Sequence, residues 1–279
     1  MISHLQIWDM HAGQSRLVLK TDRHIEAPNW SPDGSYLLVN GDGRLFRVPL
    51  AAPALQPVPM DMPQDAARGC NNDHGITPDG QTYIISSHHE GEGSVIYTMP
   101  AAGGDLVRLT PQAPSWWHGI SPDGQVMAFV AARGQGPIDV YIQRFGQKEQ
   151  RLTHGEGHCD GPDYAPDGAS IYYNCDRTGH AQVWVMGADG QNQRQLFADD
   201  YVNWFPHPSP DGQHLLYLAY PAGTTGHPAN LPVALCLCNP DGTNRRRIIA
   251  FTGGQGSINV PCWAPDSSAF AFVSYDTAS

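Results

Sequence analysis

The chain has 279 residues, of which 41% are hydrophobic, 9% aromatic and 15% charged, and its formal net charge is −11 at pH 7. The apolar fraction excludes disordered and collagen-like classes, and the acidic charge argues against a nucleic-acid-binding or anionic-membrane surface. The 30 glycines and 24 prolines recur every few residues and argue against a helix bundle.

The N-terminal segment has no basic stretch followed by an apolar one, and no run approaches the roughly 20 apolar residues that span a bilayer. We therefore expect no membrane insertion and a cytoplasmic location, or a periplasmic one if the sequence is a processed form. The cysteines show no CxxC pair and no regular disulfide spacing, so we expect reduced, mostly buried thiols at Cys70, Cys159, Cys175, Cys236, Cys238 and Cys262.

In chain order, residues 4–20 have the pattern of two strands joined by a turn, and a Pro-Asp turn then recurs six times. Successive copies lie 46, 44, 44, 44 and 55 residues apart, and they begin at Ser31, Thr77, Ser121, Ala165, Ser209 and Ala264. Proline, aspartate and glycine suit successive positions of a tight turn. A β-rich run follows each copy, then a second strand, a glycine-containing turn and an outer strand.

A repeat of about 40–45 residues with four strands is typical of a β-propeller blade. The C-terminus supplies only two strands after the fifth blade, and the N-terminal pair would complete the sixth. We therefore predict an all-β, six-bladed β-propeller, with four antiparallel strands per blade, forming one domain over residues 1–279.

The repeat also resembles a known family. An Ile-Tyr-x-Met strand, an Asp-Gly turn, a strand with Arg and Leu, and then Trp-Ser-Pro-Asp-Gly are similar to the TolB-type WD40-like (PD40) propeller repeat, over essentially the whole chain. This resemblance implies the propeller fold. It also implies one candidate function, a non-catalytic module that binds a protein partner on its top face.

Polar residues collect just before the turns, in the strands that line the channel of a propeller. His74 and His118 lie three residues before their turns, and His207 lies two residues before its turn. Convergent polar groups with aromatic walls suit a small-molecule or sugar ligand, and the predicted ligand-binding residues are Asn72, Asp73, Trp117, Asn203, Trp204 and Asn259. Each histidine can instead bond a backbone carbonyl, and each tryptophan can be core. A one-residue change of register would also reverse the face that these residues occupy.

This predicted site resembles, in kind, the channel of propeller oligogalacturonate lyases, in which three histidines and a glutamine hold a divalent metal. The resemblance implies His74, His118, His207 and Gln255 as ligands of Mn²⁺, Ca²⁺ or Zn²⁺. It implies a metal-dependent carbohydrate lyase or hydrolase. Because imidazole titrates near neutral pH, we expect His158 or His227 as base, with Asp160 and Asp163 as further catalytic groups. Motifs for other chemistries, such as GxSxG, a P-loop, GxGxxG or HExxH, are absent.

Overall fold

The computed structural model describes residues 1–61 and 69–276, and among these residues six of the seven sheets are each associated with one copy of the repeated turn. They form the predicted all-β, six-bladed β-propeller with four antiparallel strands per blade. Within the described ranges, helical structure is confined to the 3-10 turn Gln255–Ser257. Backbone contacts divide the chain into two units, Met1–Trp117 with the segment from Gly256 onward, and His118–Gln255. That residues 1–279 form one domain stays a prediction.

The strands of the first unit before residue 115 are β1 (Ile2–Asp9), β2 (Gln14–Thr21), β3 (Glu26–Trp30), β4 (Tyr36–Gly41), β5 (Arg44–Pro49), β6 (Gln56–Pro57), β7 (Met60–Asp61), β8 (Cys70–Ile76), β9 (Thr82–His89), β10 (Gly93–Pro100), β11 (Gly104–Asp105) and β12 (Val107–Arg108). Two blades have the strand orders β3-β4-β5-β6 and β8-β9-β10-β12. The short strands β7 and β11 pair in parallel beside them.

The next strands are β13 (Ser115–Ile120), β14 (Val126–Ala132), β15 (Ile138–Arg144), β16 (Gln150–Arg151), β17 (Cys159–Tyr164), β18 (Ser170–Cys175), β19 (Gln182–Gly187), β20 (Arg194–Gln195), β21 (Val202–Pro208), β22 (Leu215–Tyr220), β23 (Leu231–Cys238) and β24 (Arg246–Gly253). They form three further blades, each with its four strands in sequence order. The last strand is β25 (Ala269–Asp276).

The N-terminal strand completes the sixth blade, as predicted. Strand β1 pairs antiparallel with β25 from Ile2 opposite Asp276 to Asp9 opposite Ala269, and β2 pairs with the other edge of β1. The alternate residues Ser3, Leu5 and Ile7 of β1 are buried. This pairing covers an edge of β25 that would otherwise be open to another strand.

A side-chain hydrogen bond closes most of the repeated turns. Ser31 Oγ donates to Asp33 Oδ1 at 2.7 Å and accepts the Tyr36 N–H at 3.0 Å. The same pair of bonds recurs in the copies that begin at Thr77, Ser121 and Ser209. The bonds from Ser31 and Ser35 lower the pKa of Asp33 to about 2, so this carboxylate is ionised at neutral pH. In these copies the turn therefore fixes the residue at which the first strand of the blade ends and the residue at which the second begins.

A β-bulge interrupts several first strands shortly before the turn. One extra residue lies between Glu26 and Asn29 in β3, between Asp160 and Asp163 in β17, and between Trp204 and His207 in β21. The residue before the proline in each bulge has a left-handed backbone, with φ of 54° at Ala27, 58° at Gly161 and 53° at Phe205. A bulge re-aims side chains, because two residues oppose one on the partner strand.

Two of the six cysteines are bonded, which corrects the expectation of reduced thiols for this pair. Cys159 and Cys175 lie directly opposite each other on β17 and β18, with a Cα–Cα distance of 4.1 Å, and form a disulfide. Sequence spacing could not reveal this pair, because the register of two strands brings it together. The other four cysteines are outside any disulfide and are buried, as expected.

No helix among the described residues is long and apolar enough to cross a membrane.

The disulfide predicts a measurable contribution to stability. A cross-link that closes a loop of 16 residues stabilises the folded state by about 3 kcal/mol, mainly by restricting the unfolded chain. We expect dithiothreitol to lower the free energy of unfolding of the wild type by about this amount. The Cys159→Ser/Cys175→Ser double variant is the control, since reductant should not change its urea midpoint. Equal midpoints for the wild type with and without reductant would contradict the bond.

Candidate functional site

Asp160 on β17 is the centre of a cluster of polar side chains in the second unit. Its Oδ1 atom lies 2.9 Å from His118 Nε2 and accepts the backbone N–H of Gly161 at 2.7 Å. Both residues, Asp160 and His118, are buried. One carboxylate oxygen is therefore held in place by two donors.

The second carboxylate oxygen faces two more histidines. Asp160 Oδ2 lies 3.4 Å from His158 Nε2 and 3.6 Å from His227 Nε2, and the three ligand atoms all lie within 4.8 Å of one another. The side chains of His158 and His227 are 35% and 22% exposed, against 9% for Asp160. The cluster is therefore anchored on a buried acid and open to solvent through its imidazoles.

The local backbone explains why these groups meet. Because of the bulge, Asp160 and Asp163 pair with Asn174 and Tyr172, which are two residues apart, so both acids lie on one face of β17. A Cβ atom on Gly161 would lie 2.8 Å from Asn174 Oδ1, so glycine suits this left-handed position on two grounds. His158 is fixed by its own N–H, which donates to Asp176 Oδ1 at 2.7 Å.

Aromatic rings enclose His227, which comes from the segment between β22 and β23. The ring of Trp204 lies edge-on to His227 with centroids 4.5 Å apart and to His158 at 5.7 Å. Phe205 lies 5.4 Å from His227 and stacks on His118 at 6.3 Å. The buried indole N–H of Trp204 finds no hydrogen-bond acceptor among the described residues. A ligand with an acceptor oxygen is one partner that a buried donor of this kind can take.

The charges of the cluster are coupled. Burial raises the pKa of Asp160, but the charges and hydrogen bonds of His118 and His158 outweigh it and hold this pKa well below its usual range. Burial lowers the pKa of His158, yet the hydrogen bond and charge of Asp160 outweigh it, so the pKa of His158 is raised. Burial lowers the pKa of His227, and the charge of Asp160 opposes this only in part. At neutral pH Asp160 is therefore a carboxylate.

A second buried pair of a histidine and a carboxylate joins β17 and β21. His207 Nδ1 is 2.9 Å from Asp163 Oδ2, and burial outweighs the bond with His207 and raises the pKa of Asp163. Asn203 is buried one residue before Trp204, and its Nδ2 donates to Gln182 Oε1 at 3.1 Å and Asp199 Oδ1 at 3.0 Å. Asp163, His207 and Asn203 thus have partners within the protein.

The predicted residues of the first unit form their own contacts. Burial lowers the pKa of His74 to about 3, and its Nδ1 lies 2.8 Å from Asn29 Oδ1, with the amide of Asn40 beside Nε2. Asn259 donates to Asp73 Oδ1 at 2.5 Å and to the carbonyl of Asn72 at 3.1 Å.

Trp117 is buried against Gly75, where an added Cβ would lie 1.9 Å from the indole ring. This contact favours the core alternative for Trp117.

Of the predicted residues, His118, His158, Asp160, His227 and Trp204 come together around one carboxylate. Asp163 and His207 form a neighbouring pair, and Gln255 lies in the 3-10 turn. The predicted metal ligands His74, His118, His207 and Gln255 stay a prediction. Sequence reasoning missed Gly161, whose only signal in the sequence is a glycine directly before a proline.

Comparison with known proteins identifies the family. The model of the TolB beta propeller domain (PD40) matches residues 110–233. An uncharacterized protein of Agrobacterium fabrum is 43% identical over 276 residues, covering 99% of this chain and 93% of that protein. A solved structure described as a candidate TolB from Agrobacterium tumefaciens superposes with a TM-score of 0.95 at 42% identity, covering 100% of this chain and 99% of the other.

The chain belongs to the TolB-type PD40 β-propeller family.

This TolB-type chain matches named TolB proteins over part of their length. The Tol-Pal system protein TolB of Francisella tularensis is 25% identical over 152 residues, covering 52% of this chain and 34% of that protein. The chain therefore spans about a third of that relative's length.

The lyase resemblance holds for the fold. An oligogalacturonate lyase in complex with manganese superposes on this TolB-type chain with a TM-score of 0.57 at 14% identity, covering 90% of this chain and 74% of the other. At this identity the likeness concerns architecture, and the chemistry of the site has to be argued from its own residues.

The contact between Gly75 and Trp117 predicts a steric effect on stability. A methyl group at Gly75 would overlap the indole ring, so Gly75→Ala should lower the free energy of unfolding by about 1–3 kcal/mol. Gly136→Ala is the matched control, because its nearest neighbour is the Arg133 carbonyl at 3.6 Å. Urea unfolding checks both variants, and equal midpoints would show that the Trp117 ring is free to move aside.

Proposed function

We propose that the protein binds a divalent metal ion through His158, Asp160 and His227, and that this ion helps to hold a small polar ligand of the carbohydrate class. The observation that carries the proposal is the distance of Asp160 Oδ2 from each of the two imidazole nitrogens. Two atoms bound to one ion at about 2.1 Å in a tetrahedral arrangement lie about 3.4 Å apart. Asp160 Oδ2 is 3.4 Å from His158 Nε2 and 3.6 Å from His227 Nε2.

The chemistry of the donors favours some ions over others. Two imidazole nitrogens and one carboxylate oxygen suit Zn²⁺ or Mn²⁺, whereas Ca²⁺ takes six to eight oxygen ligands. Three protein ligands leave at least one coordination position for water or a ligand, and a bound ion of this kind can act as a Lewis acid. The solvent exposure of His158 and His227 gives a path to that position.

His118 is the positioning residue in this proposal. It contacts the Asp160 oxygen that does not face the other histidines, and it does so at 2.9 Å inside a buried environment. Outer partners of this kind orient a ligating carboxylate, and their loss typically weakens metal binding about 10- to 100-fold. The N–H of Gly161 assists at the same oxygen.

The aromatic rings beside the cluster support a sugar-like ligand. Trp204 and Phe205 offer apolar ring surface next to His227, and the Trp204 indole adds a buried donor. Aromatic walls with a few convergent polar groups are typical of sites for small polar molecules. A metal-dependent lyase or hydrolase is the catalytic form of this proposal, and substrate screens follow if the ion binds.

The test is metal binding by tag-free protein, measured by mass spectrometry and by calorimetry with Zn²⁺ and Mn²⁺. We expect about one ion per chain, its loss in His227→Ala, and a 10- to 100-fold weaker Kd in His118→Ala. His154→Ala, at an exposed surface position, is the control.

Two results would contradict the proposal. One is the absence of uptake by the wild type, and the other is unchanged uptake by His227→Ala. Loss of the ion in His74→Ala alone would instead favour the ligand set built on His74, His118, His207 and Gln255.

A second candidate function is a non-catalytic module that binds a protein partner. Family membership favours it, because the Francisella relative is a protein of the Tol-Pal system. Calorimetry of the chain with the Pal component of that system tests this candidate directly. Binding to Pal that is unchanged in His227→Ala would separate a docking surface from the metal cluster.

A further inference from the structure

The fifth blade carries a hollow on one face of its sheet. Ala219 on β22 lies directly opposite Ala234 on β23, and Tyr217 lies opposite Cys236, so the four side chains share one face. Two neighbouring methyl groups leave a depression beside the larger ring. The resulting cavity has a volume of about 340 Å³ and is lined further by Pro221 and Pro232.

The fourth blade supplies an aromatic wall near this hollow. The ring of Phe197 packs against Tyr217, with centroids 5.2 Å apart. Phe197 belongs to the same apolar cluster as Ala219, Ala234 and Cys236. The floor of the hollow is therefore apolar, and Phe197 packs against its Tyr217 ring.

The rim of the hollow is basic. Arg245, Arg246 and Arg247 all line it, and they form the one run of three basic residues in a chain of net charge −11. Arg247 lies opposite Cys236, on the face that carries the hollow. Arg245 stacks over Phe197 at 4.7 Å and donates to Asp199 Oδ2 at 3.0 Å, and Asp199 is the single acid of the lining.

Two of these guanidinium groups are not neutralised by the protein. Arg246 and Arg247 are exposed, and neither has a carboxylate partner among the described residues. The lining therefore holds three positive charges and one negative charge over an apolar floor. Guanidinium groups bind carboxylates through two parallel N–H bonds, which is the interaction that this rim offers.

We infer that this hollow is a second binding site, for a small carboxylate with an apolar, aromatic-sized body. Its volume lies at the lower end of the range for small-molecule sites, which is about 300–1,000 Å³. Two alanines and Cys236 would cover the apolar body, while Arg247 would meet the carboxylate. None of the lining residues belongs to the proposed metal cluster, so this site and the metal site can be tested separately.

The experiment uses indole-3-butyrate as the probe and its neutral amide as the matched compound, both measured by isothermal calorimetry on the full chain. We expect the acid to bind at least about tenfold more tightly than the amide, because only the acid carries the charge that the arginines pair. Arg247→Gln should remove most of this difference. Arg16→Gln, an exposed arginine outside the hollow, is the control with the same change in net charge.

A second variant tests the apolar floor. Ala219→Leu should fill the hollow and abolish binding of both compounds, and an unchanged circular-dichroism spectrum checks that the variant is folded. Equal affinity for acid and amide, no binding of the acid to the wild type, or binding that Arg247→Gln leaves unchanged would each overturn the inference.

Discussion

The hydrogen bonds that the turn aspartate accepts fix the Pro-Asp turns, and in four of the six turns one of them comes from the hydroxyl two residues before the aspartate. The hydroxyl of Ser31 bridges Asp33 and the backbone of Tyr36, so a single side chain ties both ends of the turn. Where alanine replaces the hydroxyl, as at Ala165, Asp167 still accepts the N–H of Ala169. The turn therefore survives with fewer bonds, and the register of the first two strands is kept.

The candidate site follows from what happens just before that turn. A fixed turn sets the end of the first strand, and the bulge upstream of it then decides which side chains share a face. In β17 the bulge brings Asp160 to the face of Asp163, and in β21 it brings Trp204 to the face of His207. Phe205 lies within the bulge of β21 and has a left-handed backbone conformation. Such a strained conformation persists only where the surrounding structure enforces it.

The architecture could be predicted from the sequence because the repeat is regular. The spacing of the six turns and the two unpaired strands at the termini predict the blade count and the closure of the sixth blade, and both are confirmed. The arrangement of the site was harder to predict. His158, Asp160 and His227 were recognised as chemical groups, but their meeting depends on a bulge and on the segment that carries His227. Neither the bulge nor the position of that segment produces a periodic pattern in the sequence.

The disulfide is a second feature that the sequence alone does not predict. Cys159 and Cys175 are 16 residues apart and become neighbours only through the pairing of β17 with β18. Cys159 lies between His158 and Asp160 in the chain, so the disulfide also braces the segment that carries these two members of the cluster. Local propensity places residues on strands, whereas the register between strands decides which side chains meet.

The proposed metal site is tested most directly by anomalous X-ray diffraction from crystals grown with Zn²⁺, recorded above and below the zinc absorption edge. If the cluster holds the ion, we expect one strong peak within about 2.0–2.2 Å of Asp160 Oδ2, His158 Nε2 and His227 Nε2. A peak at His74 or His207 instead, or no peak at Asp160, would contradict it.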